Sequence, residues 1–272
     1  RLPDLTSSPT RRSSHVPQGS VPTRLNDTIT GNYPNGLMSF INQGYPQTQG
    51  PVLINSLVAR NYSGPGAQVG AGIAIWGSGL TLINTTVAGN LPGGIAESDP
   101  STSQVVLVNS IVWGNGTGAD LTGWNGGPAM VTGAFNSSIV GPGNFPSGPG
   151  ISSVNPQFVN AASGNYHVQA PSSPAINSGN TSQVPAYATT DLDGNPRLIG
   201  SSVDIGAYED QSPSSGGTRR TPTATSQSVT TAYGTPLNIT LTGVDPDGLP
   251  LTYQVLSAPS RGTVSGSGAN QN

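Results

Sequence analysis

Three segments of this chain repeat one arrangement of apolar, amide and hydroxyl residues. They are PVLINSLVARN (51–61), LTLINTTVAGN (80–90) and VVLVNSIVWGN (105–115). The closing Asn recurs as Asn32, Asn61, Asn90, Asn115 and Asn144, at intervals of 29, 29, 25 and 29 residues. A period of this length, without the 3.6-residue periodicity of a helix, favours short strands over paired helices. The sequence therefore predicts a parallel β-solenoid in which each repeat forms one coil.

Two apolar positions recur in the repeats and mark side chains that we expect to face the interior. One position holds Ile29, Val58, Val87, Val112 and Val140, and the other holds Leu53, Leu82 and Leu107. Coils of a parallel solenoid stack at about 4.8 Å, so equivalent residues should lie above one another. A Gly opens a further apolar track at 36–38, 72–75 and 94–96. It predicts a corner with a positive φ or a close backbone approach.

The recurrent Asn residues are interpreted as structural. A second row, six residues upstream, holds Asn26, Asn55, Asn84 and Asn109, with Ser138 in the equivalent place of the fifth unit. Asn tolerates the left-handed conformation of a sharp corner, and stacked amides can hydrogen-bond from coil to coil. Buried amides also satisfy backbone groups that would otherwise lack partners. We predict ladders of stacked Asn; a row of amides that binds a ligand is the alternative.

Five motifs follow the repeats in a defined order. They are NPQFV (155–159), NYHV (165–168), SSPAINSGN (172–180), DLDGNPR (191–197) and VDIGAYE (203–209). Together with the repeats, they resemble the choice-of-anchor Q family over residues 26–210. The resemblance implies a right-handed parallel β-helix that is held at the bacterial cell surface by one of several anchors. Asn177 departs from the pattern, which has Asp at this place, a residue suited to a salt bridge or an ion.

The end of the chain has a different character. Residues 211–223 are rich in Ser, Gly and Pro and are predicted to be a flexible linker. Residues 224–272 resemble part of an Ig-like or cadherin-like repeat of bacterial adhesins. Half a sandwich exposes unpaired strand edges, so either the module is truncated or a strand from elsewhere completes it. The tail, residues 1–25, is predicted to be extended and outside the repeats, and is a candidate strand donor between protomers.

The predicted fold class is all-β: a right-handed parallel β-helix followed by a partial Ig-like β-sandwich module. The coils occupy residues 26–150, and a capping segment occupies residues 151–210. Abundant Gly and Pro, 38 and 25 of 272 residues, agree with many tight turns. The net charge of −3 offers no electrostatic basis for nucleic-acid binding. No apolar run approaches the roughly 20 residues of a membrane span.

Catalytic chemistry has little support in the sequence. Between residues 28 and 190 the only acids are Glu97, Asp99 and Asp120, and the only Arg is Arg60. Lyase or hydrolase chemistry on polysaccharides needs convergent carboxylates or a calcium site with a nearby base. Glu97 and Asp99 are interpreted as parts of a solvated loop. We predict that the protein is not an enzyme; a carbohydrate-active β-helix enzyme is the alternative.

Metal and cofactor sites are not predicted, apart from a weak possibility of structural calcium. The turns DLDGN and DPDG place Asp191 and Asp193, and Asp245 and Asp247, like the first ligands of calcium loops. An EF-hand needs Glu at the twelfth position, where this chain has Ser202 and Leu256. Asp and Gly are also common in tight turns. His15 and His167 stand alone in the sequence, and His167 is interpreted as a partly exposed strand residue.

Trp113 follows the inward Val112, so strand alternation turns it outward, where neighbouring coils have Ala59 and Ala88. An exposed Trp could contact a carbohydrate or another protomer. Alternatively, the loop that contains Trp124 covers it.

The sequence therefore predicts an extracellular or cell-surface protein with a structural or adhesive function. We expect a rigid rod that forms a homo-oligomer or homopolymer, with surface glycans as further candidate partners. A carbohydrate-active enzyme and a non-catalytic carbohydrate-binding adhesin are the alternatives, and the adhesin predicts exposed aromatic platforms.

Overall fold

The computed structural model describes residues 14–16, 22–40, 50–63, 72–97, 104–116, 120–123, 135–141, 150–212, 222–244, 251–255, 257, 259, 263–267 and 270–271. They belong to two units, Arg1–Ser214 and Ser215–Asn272. The first unit is a parallel β-helix with a C-terminal segment, and the second unit contains short antiparallel strands.

Each coil of the β-helix contributes one short strand to each of three parallel sheets. The first coil comprises β1 (Ser14–Val16), β2 (Thr23–Leu25) and β3 (Thr28–Thr30), and the second β4 (Leu37–Phe40), β5 (Val52–Ile54) and β6 (Leu57–Ala59). The third comprises β7 (Ile73–Trp76), β8 (Gly79–Ile83) and β9 (Thr86–Ala88), and the fourth β10 (Ile95–Glu97), β11 (Gln104–Val108) and β12 (Ile111–Trp113). The fifth comprises β13 (Leu121–Gly123), β14 (Phe135–Asn136) and β15 (Ser138–Val140), after which β16 (Ile151–Ser152) extends the third sheet beside β15. Strand pairing confirms the predicted parallel β-helix.

The interior is apolar because identical positions of successive coils lie in register. Ile29 pairs with Val58, Val58 with Val87, Val87 with Val112, and Val112 with Val140. In the second sheet Leu53, Leu82 and Leu107 are in register with Phe135. All of these side chains belong to one buried cluster. The period of the sequence thus becomes a continuous apolar core, which supplies the main driving force for folding.

The first coil begins upstream of the predicted boundary at residue 26. Ser14–Val16 pairs with Leu37–Ser39, and Thr23–Leu25 pairs with Val52–Ile54. These parts of the tail therefore belong to the solenoid instead of lying outside it. Each of these two strands pairs with a strand of the second coil, so the tail supplies strands to the sheets of its own chain.

The C-terminal segment, residues 151–210, runs along the side of the β-helix, although we predicted a cap. It contains the hairpin β17 (Phe158–Asn160) and β18 (Asn165–Val168), and two 3₁₀ turns at Ala161–Ser163 and Thr181–Gln183. Tyr166 packs on Leu57, Ala59 and Ala88, which project outward from the third sheet. Farther along, Ala175 and Ile205 pack on Ile111 and Ile139. The segment therefore covers an apolar outer face that would otherwise meet water.

The second unit contains β19 (Thr223–Ala224) paired with β21 (Gly243–Val244), and a sheet of β20 (Ile239–Thr240), β23 (Asn270–Gln271) and β22 (Gly266–Ser267). All pairings are antiparallel. Every residue of this unit whose side-chain exposure is described is exposed or half-buried. Within the described residues, no helix is both long and apolar enough to cross a membrane.

Candidate functional site

A row of buried amides lies inside the corner that follows the third sheet. The Nδ2 atoms of Asn32, Asn61 and Asn90 donate to the Oδ1 atoms of Asn61, Asn90 and Asn115, each at 2.8 Å. The same Oδ1 atoms accept the backbone N–H of the preceding Asn at 3.0 to 3.1 Å. These four Asn residues are at most 5% exposed. The row joins successive coils through side chains while satisfying backbone donors.

Asp120 ends the described part of this row. Its Oδ1 accepts both the backbone N–H and the Nδ2 of Asn115, each at 2.7 Å. Burial raises the pKa of the Asp120 carboxyl, while the hydrogen bonds from Asn115 oppose that shift. Asn144, predicted as the fifth member, lies outside the described residues. The sequence did not predict that Asp120 belongs to this row, because Asp120 breaks the period and lies only five residues after Asn115.

The repeated Gly leaves room for the amide row. A Cβ atom built on Gly36 would lie 2.6 Å from Nδ2 of Asn61, and one on Gly94 would lie 2.7 Å from Nδ2 of Asn115. Such distances are impossible for real side chains. Of the two predicted reasons for Gly, the close approach applies, because the positive-φ glycines include neither of these residues.

The second Asn row turns the corner and holds the C-terminal segment. Asn55, Asn84 and Asn109 have left-handed φ values of 46° to 47°, as their fifth equivalent Ser137 does at 45°. The predicted Ser138 instead begins β15, and its Oγ accepts the backbone N–H of Ser110 at 3.1 Å. Among the described residues of this row, one amide-to-amide contact is present, and it is long: 3.5 Å from Asn109 Nδ2 to Asn84 Oδ1.

The Nδ2 atoms of this second row donate mainly to backbone oxygens of the C-terminal segment. Asn55 reaches the Thr190 oxygen at 2.6 Å, Asn84 the Asp204 oxygen at 3.3 Å, and Asn109 the Asn180 oxygen at 3.0 Å. Asn109 Oδ1 also accepts the N–H of Asn180 at 2.7 Å. The row therefore attaches the segment to the β-helix instead of forming a second ladder.

A buried charge cluster organises the C-terminal segment. It contains Arg197, Asp191, Asp204 and Glu209, all at most 3% exposed. The Nη2 atom of Arg197 donates to the backbone oxygens of Asp204 and Gly206 at 2.7 and 2.8 Å, and its Nε lies 3.7 Å from Glu209 Oε2. The carboxylates accept backbone N–H groups, among them those of Glu209, Asn177 and Asp204. Three carboxyl groups thus share one cation, in the motifs DLDGNPR and VDIGAYE.

Burial shifts the protonation of this cluster. It raises the pKa of Glu209 from 4.5 to about 8, and the neighbouring Asp204 charge adds to the shift while Arg197 opposes it. Burial also raises the pKa of Asp191 and of Asp204, against the hydrogen bonds that these carboxylates accept. One buried cation does not compensate three carboxylates, so the folded protein favours a proton on Glu209.

We expect the free energy of unfolding to fall as the pH rises. Because the pKa of Glu209 is higher in the folded state, the stabilisation that its proton provides is fully present below about pH 4.5 and is lost as the pH rises through about 8. Between about pH 5 and pH 9 the free energy of unfolding should fall by roughly 4 kcal/mol, measured by urea unfolding.

Glu209→Gln should flatten this dependence, because Gln cannot ionise. Asp193→Asn, at a carboxylate that is 45% exposed, is the matched control and should keep the slope. A free energy of unfolding that stays constant or rises over this range would contradict the role assigned to Glu209.

The calcium candidates Asp191 and Asp193 serve different partners. The Oδ1 atom of Asp191 accepts the N–H groups of Asp193 and Asn195, as in a tight turn. Asp193 Oδ2 lies 2.6 Å from Nε2 of His167, whose ring stacks on Tyr208 with centroids 3.9 Å apart. Among the described residues, no group of three metal-ligating side chains is present. Asp245 and Asp247 lie outside the described residues.

His167 lies in β18 and is partly exposed, at the wall of a cavity of about 410 Å³ that Asp193, Tyr208 and Ser212 also line. The second ring nitrogen, Nδ1, lies 2.8 Å from Asn165 Oδ1. Both ring nitrogens therefore face acceptor oxygens of the protein.

Trp113 lies at the wall of a surface groove of about 740 Å³, here called the Trp113 groove. Its described lining includes the aromatic residues Trp113, Phe158 and Tyr166 and the amide residues Asn155, Gln157 and Gln169. Trp113 is half-buried and packs against the cluster of Ile111, Ile139, Ala175 and Ile205. The C-terminal segment thus contacts Trp113; Trp124, in the loop of the alternative interpretation, lies outside the described residues.

Exposed rings also follow the amide row at the corner. Tyr33 and Tyr62 are 67% and 45% exposed, with ring centroids 6.0 Å apart, and Leu91 in the next coil is 48% exposed. They succeed Asn32, Asn61 and Asn90, so the same period produces both rows.

Glu97 is not in a solvated loop, contrary to the sequence-based interpretation. It is the last residue of β10 and only 1% exposed. Asp99 lies outside the described residues. The turn-rich residues that follow Glu97 favour a loop, although the strand β10 extends to Glu97 itself.

Comparison with known proteins supports parts of this description. A family model described as "Bacterial Ig domain" matches residues 219–271, so the C-terminal module is Ig-like. No curated protein matches the chain. A solved structure titled "Crystal structure of pectate lyase Pel9A" is similar, at 14% identity, a TM-score of 0.33, and coverage of 74% of this chain and 68% of that chain. The resemblance to the choice-of-anchor Q family stays a prediction.

The prediction that this protein is not an enzyme is contradicted by that similarity, because a pectate lyase is an enzyme. At this TM-score the similarity does not transfer an activity, but the exclusion of catalysis is withdrawn. Ig-like modules of bacteria are typical of extracellular proteins.

Proposed function

We propose that this protein is an extracellular surface protein whose β-helix is a stable structural scaffold. The observation that carries the proposal is the buried amide row from Asn32 to Asp120, which joins the coils through side-chain hydrogen bonds. Every member satisfies a buried partner, which leaves few of these amide groups open to a ligand. The row therefore supports the interpretation of the recurrent Asn as an architectural device.

The coverage of the third sheet supports the same function. Its outward apolar residues are packed under the C-terminal segment, and the segment is fastened by the second Asn row. A scaffold outside the cell must stay folded without help from the cytoplasm, and continuous hydrogen bonding with a covered apolar face suits that demand.

Surface exposure and intrinsic stability can be tested together. Bacterial cells that carry the natural gene would be treated with protease before lysis, and antibodies against the β-helix unit would follow its digestion from outside. The purified protein would be heated with and without EDTA. We expect surface digestion and a Tm that EDTA leaves unchanged, because the coils are joined by protein groups. A protein protected until lysis, or a Tm lowered by more than about 5 °C, would contradict the proposal.

A second candidate function is self-assembly by strand addition, which the open second unit favours. Tyr233 and Val244 are exposed although large and apolar, and within the described residues the sheets of this unit contain two and three strands. Uncovered strand edges are templates for pairing with another chain. Light scattering over a range of concentrations should then show homo-oligomers that Val244→Asp weakens. A monomer at every concentration would count against strand addition.

A further inference from the structure

The Trp113 groove combines flat apolar walls with amide groups. Trp113 stands at a register position that neighbouring coils fill with Ala88 and Ala59, so no large strand residue beside it fills that space. Tyr166 covers those alanines and meets Phe158 edge to face, with centroids 5.3 Å apart. A rigid indole beside a second ring offers a surface for the C–H face of a sugar ring.

The amide residues Gln157 and Gln169 of the groove are held in place by hydrogen bonds, but among the described residues not all of their polar groups have partners. Gln157 is held in a left-handed conformation, its N–H donates to Asn155 Oδ1 at 2.8 Å, and its Oε1 accepts the Ser172 hydroxyl at 2.6 Å. The backbone of Gln169 is fixed by a hydrogen bond to the Gln157 oxygen at 2.8 Å. Within the described residues, the side-chain amide of Gln169 has no hydrogen bond. Its donors and acceptor can therefore meet ligand hydroxyl groups.

The described lining of the groove has no charged side chain, which favours an uncharged sugar over a uronate. No Asp, Glu, Arg or His belongs to its described lining. Burial raises the pKa of the Tyr166 hydroxyl, and the charge of Arg60, which lies outside this lining, opposes that shift. A uronate would lose its hydration without gaining a cation from the described lining, whereas an uncharged sugar exchanges hydroxyl–water bonds for hydroxyl–amide bonds. The volume of about 740 Å³ is in the range of small-molecule sites.

We propose that the Trp113 groove binds an uncharged sugar unit of a glycan. The inference rests on the proposed surface function, since surface exposure brings the groove into contact with glycans. The indole of Trp113 provides the stacking face, and the amides of Gln157 and Gln169 bind the hydroxyl groups. The groove is a binding site in this proposal, and no covalent step is assigned to it.

Titration calorimetry with defined oligosaccharides tests this proposal. The probes are cellohexaose, xylohexaose, mannohexaose and chitohexaose, with hexagalacturonate as the charged control. We expect at least one neutral hexaose to bind with a Kd of about 0.1 to 1 mM, and hexagalacturonate to bind at least tenfold more weakly. The proposal is overturned if no neutral hexaose binds up to about 10 mM, or if the uronate binds as well.

Variants locate the binding to the groove. Trp113→Leu keeps apolar packing but removes the flat ring, and should weaken binding by at least about tenfold. Gln169→Ala removes an exposed side chain without hydrogen bonds, so it should weaken binding severalfold while the Tm is unchanged. Trp76→Ala and Tyr62→Ala change exposed rings elsewhere and should leave the affinity as in the natural protein.

Three results would overturn the assignment. The first is an unchanged affinity in both groove variants, and the second is a loss of affinity in Tyr62→Ala instead. The third is a dimer that depends on Trp113 and binds no hexaose, because the groove would then bind a second copy of this chain. Should Trp113→Leu fail to fold, Gln169→Ala decides alone. Surface digestion without hexaose binding refutes only this inference, whereas hexaose binding by a protein protected from digestion refutes only the proposed surface function.

Discussion

Arg197→Met is expected to lower the free energy of unfolding of the β-helix unit by roughly 3 to 5 kcal/mol, because it removes one partner of a buried ion pair. Arg197 is 2% exposed, and it is the cation that Asp191, Asp204 and Glu209 share. Met fills a similar volume but leaves the backbone oxygens of Asp204 and Gly206 without this donor. The three carboxyl groups would then repel one another without compensation.

The measurement is urea unfolding followed by circular dichroism, at about pH 5 and at about pH 8. The loss should be smaller at the lower pH, where Glu209 carries its proton and one charge of the cluster is absent. Arg60→Met is the matched control, since Arg60 is exposed and its guanidinium donates to the Ser163 oxygen at 3.1 Å. Equal effects of the two substitutions would show that the buried cluster does not stabilise the fold.

Asn90→Ala should destabilise the same unit by about 3 to 5 kcal/mol, since each unsatisfied buried group costs about 1 to 3 kcal/mol. Asn90 lies in the middle of the amide row and is 0% exposed. Its Oδ1 accepts two hydrogen bonds from Asn61, and its Nδ2 donates to Asn115 Oδ1 and to the Val58 oxygen. Alanine removes these four hydrogen bonds in a place that water does not reach, while Asn115 Oδ1 keeps the backbone N–H of residue 90 and Asn61 Nδ2 keeps the Ile29 oxygen.

Thermal unfolding should show a Tm lower by roughly 10 °C, given about 2 to 4 °C for each kcal/mol in a unit of this size. Asn195→Ala, at an exposed amide whose backbone N–H contact to Asp191 is retained, should shift the Tm by little. If Asn90→Ala behaved like this control, the amide row would not be a source of stability. That outcome would also remove the main support for the proposed scaffold function.

The amide row shows how far the sequence could lead. Asn32, Asn61, Asn90 and Asn115 were predicted to stack, and the structure brings their amides to 2.8 Å from one another. The end of the row at Asp120 could not be predicted, because Asp120 lies five residues after its partner Asn115 and not one period after it. Glu97 was misinterpreted for a related reason: its burial depends on neighbouring coils and not on the polar residues that follow it.

The second Asn row illustrates the opposite case. Its left-handed corners were expected from the sequence, and Asn55, Asn84 and Asn109 have the positive φ values that such corners require. Their bonds to the C-terminal segment were not expected. Periodicity reveals residues that contact their own equivalents, but the segment lies outside the period. Nothing in its five motifs indicates which face of the solenoid it covers.

The sequence by itself determined the length of the coil, its construction from short strands and the side chains that face the interior. It did so because parallel stacking places each residue against its own equivalent in the next coil. The same residue type is therefore required at the same position of every repeat. Only the tertiary structure decided where the C-terminal segment lies, how Arg197 is buried and how the Trp113 groove is formed. Those contacts join residues as distant as Asn55 and Thr190, 135 positions apart, and single long-range contacts leave no periodic trace.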